Sequence, residues 1–256
     1  MTILRTEEVR VKLGERERER YGRQMIMGGF GEEAQLKLKA ATVGVLGLGG
    51  LGSPASLYLA AAGVGHLILV DDQKVERSNL NRQLLHWDED AARSRPKVGS
   101  ATDKLKRLNR HIALASHRER VGQDNIDRIL GPAELVLDCT DNFETRMVLN
   151  DFCVSAKKPF VHAGVEGLGG QITTIVPGRT PCLRCLFPRT PSNIEPVPIL
   201  GATAGVFGCM QAVEAVKLIT GVGSRLAGKM LVGDMSCNSW DLIEIEADPE
   251  CPVCGR

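Results

Sequence analysis

From Ala40 to Val70 the chain carries no Asp, Glu, Lys or Arg, but seven glycines and Pro54 interrupt the stretch. An uncharged run of this length is long enough to count as a membrane-span candidate. The glycines and the proline divide it instead into two strand-length apolar runs around a short Ala-rich helix. Thr42 to Asp72 therefore reads as strand, glycine loop, helix and second strand ending in acid. The loop is Gly47-x-Gly49-x-x-Gly52, with Gly50 inside it, and it sits where the Val/Leu run stops and the helical run begins. In that context the pattern points to a bound phosphate, because glycines admit close backbone approach and a helix start favours negative charge. Ser53 is expected to cap the helix and Pro54 to fill its first turn. Asp71, nineteen residues after Gly52, stands where a carboxylate accepts from a ribose hydroxyl. An ordinary NAD-binding site carries the same glycine pattern, so the rest of the chain must decide.

With 256 residues the chain can bury one large core or make one domain with an appendage. A net charge of +1 gives no broad basic field for nucleic acid and no polybasic membrane tail. MTILRTEEVRVKL lacks the apolar core and cleavage site of a signal peptide, and a cytoplasmic location is expected. The eight cysteines include Cys182-x-x-Cys185 and Cys251-x-x-Cys254, two knuckles that form a strong tetrahedral zinc signal. The 65 residues between them exceed a zinc-ribbon spacing, so the metal would clip the C-terminal tail onto the body. A redox dithiol pair and unpaired core cysteines are the rival readings. Cys139, Cys153, Cys209 and Cys237 read as small apolar residues.

Residues 1–41 are a polar, helical preface, in which ERERER at 15–20 reads as a solvated helix. Beyond Asp71, the polar stretch DDQKVERSNLNRQLL puts forward Asn79, Arg82 and Gln83 as site residues. Arg82 supplies forked donors suited to a triphosphate, and Lys97, at a predicted helix start, adds a compact charge. Either cation alone would also suit a surface salt bridge. Helices are expected at 97–109 and 126–130, with strands at 112–116 and 134–138, an α/β alternation. Asp141, just past the second of these strands, would share a crevice with the glycine loop and Asp71, and could hold magnesium. Its alternative role is to cap the next helix. From 159 on, β-type runs at 159–166 and 171–176 suggest an antiparallel hairpin. A loop with four prolines at 186–200, an apolar helix at 203–220 and two late strands complete the pattern.

RYGRQ, GLGGLG, the acid after strand two, SNLNRQ, PKV, DCTDN and the two knuckles, in this order, resemble the HesA/MoeB/ThiF family of ubiquitin-activating-enzyme-like adenylyltransferases, nearest to molybdopterin-synthase adenylyltransferase. The resemblance covers residues 18–256. It implies a Rossmann-like, doubly wound, mostly parallel sheet extended by antiparallel strands, with a structural zinc site at the C-terminus. One adenylating domain would span 1–256, with a helical segment at 1–41, a nucleotide-binding half at 42–158 and a carrier-binding half at 159–256. It further implies a homodimer that uses ATP, Mg2+ and Zn2+ to adenylate the C-terminal Gly-Gly carboxylate of a small ubiquitin-fold sulfur carrier of the MoaD or ThiS kind, for molybdopterin, thiamine or thiolation pathways. In that scheme Asp71 holds ribose, Asn79, Arg82 and Lys97 contact phosphates, Asp141 binds magnesium, and Arg23 enters the site of the partner subunit.

Three departures matter. Gln73 replaces a second acid common in relatives, which questions a metal role there. The proline-rich loop has no cysteine, Val197 lying near where ThiS-activating relatives place a thiol, so no thioester or persulfide is expected on it. With the chain ending at Arg256, no rhodanese domain is expected, and a separate sulfurtransferase would supply sulfur. The other readings are an NAD-dependent oxidoreductase resting on His162, adenylation of tRNA threonylcarbamoyladenosine or of a small carboxylate, and a catalytically silent zinc-clipped module.

Overall fold

A computed structural model describes residues 12–189 and 197–255. Its strands are β1 (Thr42–Leu46), β2 (His66–Val70), β3 (Ala113–His117), β4 (Leu135–Asp138), β5 (Phe160–Glu166), β6 (Gly169–Ile175), β7 (Lys229–Asp234) and β8 (Ser239–Glu244). They form one sheet in the order β3-β2-β1-β4-β5-β6-β7-β8. The first five run parallel, and β6, β7 and β8 follow, each antiparallel to the strand before it. The chain winds outward from β1 through β2 to β3, then returns to lay β4 on the other side of β1. This reversal is the switch point at which open α/β sheets gather ligands.

The helices are α1 (Glu15–Met25), α2 (Gly31–Ala40), α3 (Gly52–Ala62), α4 (Asp88–Ala92), α5 (Lys97–Leu108), α6 (Ile126–Leu130), α7 (Phe143–Ser155), α8 (Leu183–Leu186) and α9 (Gly201–Thr220). Alternation along the strands sends Val43, Val45, Leu135 and Leu137 to one core with α2, α3, α5 and α9. Leu46, Ile68, Val136 and Phe160 go to the opposite core with α6, α7 and α8. Both faces are thus covered, which explains why the central strands read as continuous apolar runs. Helix α9 is long and apolar enough to cross a membrane by length and composition, yet over half of it is buried, packed on α3 and β5. Gln211 of α9 reaches between strands, its amide donating to the carbonyls of Asp138 (2.7 Å) and Val161 (3.1 Å).

Three local expectations need correction. Ser53 does not cap α3; its hydroxyl donates to the Leu48 carbonyl at 3.2 Å, and no side chain caps the helix. The ERERER segment is not wholly solvated. Glu17 is buried, accepting from Gly14 N and pairing with Lys39 at 2.6 Å. Helix α7 starts one residue earlier than expected, and its cap is Asn142, which accepts from Thr145 N at 2.9 Å. Asp141 is therefore not the cap. Two short helices, α4 and α8, were not expected, because five and four residues are too few to show a helical period.

Candidate active site

The glycine loop is built by close contact between the chain segments that follow β1 and β4. Gly47 has φ +93°, and a Cβ there would stand 2.5 Å from the Cys139 carbonyl oxygen. A Cβ on Gly52 would stand 1.9 Å from the Gly47 oxygen. No other residue fits either place. Gly49 lies against the Gln83 amide and Gly50 against Ala204 and Arg82. The Gln83 Oε1 is buried with no hydrogen-bond partner among the described residues, an acceptor left open at the loop.

Asp71 follows β2 directly. Its carboxylate accepts from Leu48 N (2.8 Å) and Gln73 N (2.9 Å), which ties the glycine loop to the acid. Burial raises its pKa, against the nearby Lys97 charge and these two bonds. Lys97 opens α5, only 3% exposed. Its Nζ donates to Gln73 Oε1 at 2.6 Å and has no carboxylate within ion-pair reach among the described residues. Asp71 lies near enough to feel this charge but forms no ion pair with it, which leaves the ammonium to a phosphate. Arg82, half-buried, donates to Ser78 O and Asn81 Oδ1, both at 2.9 Å. Asn79 is buried, and its Oδ1 accepts from Glu76 N at 3.0 Å, so its oxygen shapes the turn.

His86 escaped the sequence reading. It bridges the Leu48 carbonyl (3.0 Å) and Ser100 Oγ (2.9 Å), bracing the glycine loop from below. Burial, with Lys97 and Lys104 close by, lowers its pKa to about 4, so it is neutral.

Beyond β4, Asp141 is exposed, and Asn142 Nδ2 donates to its Oδ1 over a long 3.4 Å. The loop carrying it is clamped from behind by Asp138, which is fully buried. Burial pushes the Asp138 pKa up, but Arg146, His162 and Thr140 together bring it down to about 2. Arg146 Nε lies 3.0 Å from Asp138 Oδ2, its Nη2 donates to the Thr140 carbonyl at 2.7 Å, and the Thr140 hydroxyl donates to Asp138 Oδ1 at 2.6 Å. His162, on which an oxidoreductase reading would rest, is fully buried with Nδ1 2.7 Å from Asp138 Oδ2. It is part of the clamp. The signal available for this cluster was a lone acid ending an apolar strand.

The structure therefore gathers Gly47, Gly49, Gly50, Gly52, Asp71, Asn79, Arg82, Gln83, Lys97 and Asp141 around the carboxyl ends of β1, β2 and β4. Arg23 is not among them. Its neighbour Gln24 donates to the Ala62 carbonyl at 2.8 Å, at the far end of α3 from the glycine loop. Arg23 is exposed and makes no ion pair among the described residues.

The two knuckles meet as expected. The sulfurs of Cys182, Cys185, Cys251 and Cys254 all lie within 4.8 Å of one another, with Cys182 and Cys251 at 3.7 Å and Cys185 and Cys254 at 3.3 Å. A zinc ion with bonds of about 2.3 Å needs tetrahedron edges of about 3.8 Å. The spacing and the all-sulfur donor set fit zinc, and four thiolates leave no open position for catalysis. None of the four is in a disulfide.

The profile of the ThiF family matches residues 21–253. Protein HesA, heterocyst, of Trichormus variabilis is 42% identical over 96% of this chain and 92% of its own length. The SAMP-activating enzyme E1 of Haloferax volcanii is 40% identical over 93% of this chain and 89% of its own. Adenylyltransferase and sulfurtransferase MOCS3-1 of Drosophila pseudoobscura pseudoobscura is 42% identical over 92% of this chain, which spans 53% of that protein. Among solved structures, E. coli MccB with ATP shares the fold with a TM-score of 0.84 at 24% identity, over 94% of this chain and 75% of the other. With the ordered motifs in one crevice and these likenesses along nearly its whole length, the chain belongs to the ThiF family.

Proposed function

We propose that this chain binds ATP and magnesium in the crevice and adenylates the C-terminal Gly-Gly carboxylate of a small ubiquitin-fold sulfur carrier, releasing pyrophosphate. The observation that carries this reading is the buried Lys97, in no ion pair among the described residues, beside Asp71 and the glycine loop. The names of the relatives point the same way: one is a SAMP-activating E1 and another an adenylyltransferase and sulfurtransferase.

The carboxylate nucleophile is already ionised at neutral pH, so no general base is needed. Catalysis then rests on holding two anions together and on charge stabilisation as pyrophosphate departs. Asp71 would take the ribose, Asn79, Arg82, Gln83 and Lys97 the phosphates. Asp141, free of any cation among the described residues, would hold magnesium, which neutralises phosphate charge. The clamp of Asp138, Arg146 and His162 keeps the Asp141 loop in place. Because Arg23 stands apart from the crevice of its own chain, it would act in a homodimer, in the partner's site.

The half from residue 159 on would receive the carrier. Strand β8 is an exposed sheet edge bearing Trp240, Leu242 and Ile243, an apolar surface suited to a protein partner. Since the loop at 186–200 has no cysteine, a separate sulfurtransferase would add sulfur after adenylation, in the cytoplasm. The pathway served would be molybdopterin, thiamine or thiolation chemistry.

The test is ATP–pyrophosphate exchange with and without candidate carriers ending in Gly-Gly. Exchange that requires both a carrier and Asp141 supports the reading. ATP binding without exchange for any carrier would point to a different acyl acceptor or a silent module.

A further inference from the structure

The alternating charges of α1 do more than solvate it. Helical spacing puts Arg16 and Arg20 on one face, where like charges four residues apart repel. That face meets the far end of α5, and Arg16, Glu19, Arg20, Arg107, Arg110 and His111 together line a cleft of about 620 Å3. Elsewhere on the helix Arg18 pairs with both carboxylate oxygens of Glu32 and Glu17 pairs with Lys39, while Arg23 forms no ion pair among the described residues. Within the cleft none of the four arginines forms an ion pair among the described residues, not even with Glu19. At the α5 carboxyl end, Arg20 Nη1 donates to the Leu108 carbonyl at 3.1 Å. That bond also fixes the direction in which Arg20 points. The other three arginines have neither a carbonyl nor a carboxylate partner among the described residues, in a protein whose net charge is only +1.

We propose that this cleft is a second anion site, which takes a small molecule bearing two or three linked phosphates. The guanidiniums that line the cleft offer paired donors matched to phosphate oxygens. The volume suits a small ligand, and the local, concave charge suits a compact anion better than a long backbone. The cleft is distinct from the nucleotide crevice. Lys97 opens α5 at the crevice and Leu108 closes it at the cleft, roughly 17 Å along the helix. A bound anion would tie α1 to the end of α5. The proposal does not depend on the adenylation reading.

The test is calorimetric titration of inorganic tripolyphosphate into the full chain in low-salt buffer without divalent ions. A Lys97→Ala background removes the contribution of the crevice. One site per chain is expected, weakened roughly a hundredfold by Arg107→Ala/Arg110→Ala and likewise by Arg16→Ala/Arg20→Ala. All four positions are exposed, so the thermal midpoint should stay level for Arg107→Ala/Arg110→Ala and fall only by the loss of the Arg20–Leu108 bond for Arg16→Ala/Arg20→Ala. Titrating ATP in parallel separates the two sources: equal affinity assigns recognition to the phosphates alone, and tighter, arginine-dependent ATP binding assigns a nucleotide. Isotherms unchanged by the arginine substitutions, or matched by sulfate, would overturn the proposal. So would arginine-dependent binding of a short single-stranded RNA without binding of tripolyphosphate.

Discussion

The ammonium of Lys97 lies 2.6 Å from the side-chain oxygen of Gln73, a neutral acceptor two residues after Asp71. A neutral partner holds the lysine in place without cancelling its charge, so the full cation remains for a phosphate. Lys97→Ala should lower kcat/KM for carrier-dependent exchange by about a hundredfold or more. Gln73→Glu should pair with the ammonium and weaken ATP binding, read as a rise in KM for ATP.

Asp141 and Asn142 are adjacent, but their losses should differ in kind. Asp141→Ala should reduce exchange about a hundredfold with no change in melting temperature, because the side chain is exposed and caps nothing. Asn142→Ala should cost about 1 kcal/mol in stability through loss of the α7 cap. Exchange assays beside thermal melts distinguish the two.

Gly47→Ala asks for φ +93° from a residue with a Cβ, 2.5 Å from the Cys139 oxygen. A loss of roughly 2–4 kcal/mol is expected, with ATP binding failing as the loops after β1 and β4 are forced apart. Chemical denaturation and nucleotide titration measure the two effects.

His86 predicts an acid limb in stability. Its folded pKa is about 4 against 6.5 in the unfolded chain, so the unfolded state binds more protons between these values. Stability should therefore fall as pH drops from 6.5 towards 4, by up to about 3 kcal/mol from this group. His86→Gln should flatten that limb in melts taken across the interval. If the slope is unchanged, the burial assigned to this imidazole is wrong.

Cys254→Ser should abolish stoichiometric zinc by elemental analysis and lower the melting temperature, because four thiolates are needed to close the site. Exchange activity should suffer only through the loss of folded protein.

The sheet and the crevice were legible because they rest on short-range chemistry. Gly47 and Gly52 announce a backbone contact, and the Val/Leu runs of β1, β2 and β4 announce strands covered on both faces. The zinc site was legible because cysteine spacing is itself a geometric statement. The supports were not. His86, Ser100, Asp138, Arg146 and His162 act through partners 8 to 38 residues away, and no local pattern encodes such pairings. Ser53 misled because a hydroxyl at a helix start can either accept from the helix or donate to the loop before it, and only the folded loop decides. The face shared by Arg16 and Arg20 was visible as periodicity, but its meaning came from Arg107 and Arg110, which the fold brings alongside.

The sulfurs of Cys185 and Cys254 face each other across the join between the two knuckles, so a bound zinc turns everything between Cys185 and Cys251 into a closed ring that includes α9, β7 and β8. In the unfolded chain a ring of this size has fewer ways to spread than an open tail, a difference on the order of 4 kcal/mol by loop-closure entropy. Zinc would thus act on the unfolded ensemble as well as on the fold. The strand edge at β8 would owe part of its persistence to a topological restraint closed between Cys185 and Cys251.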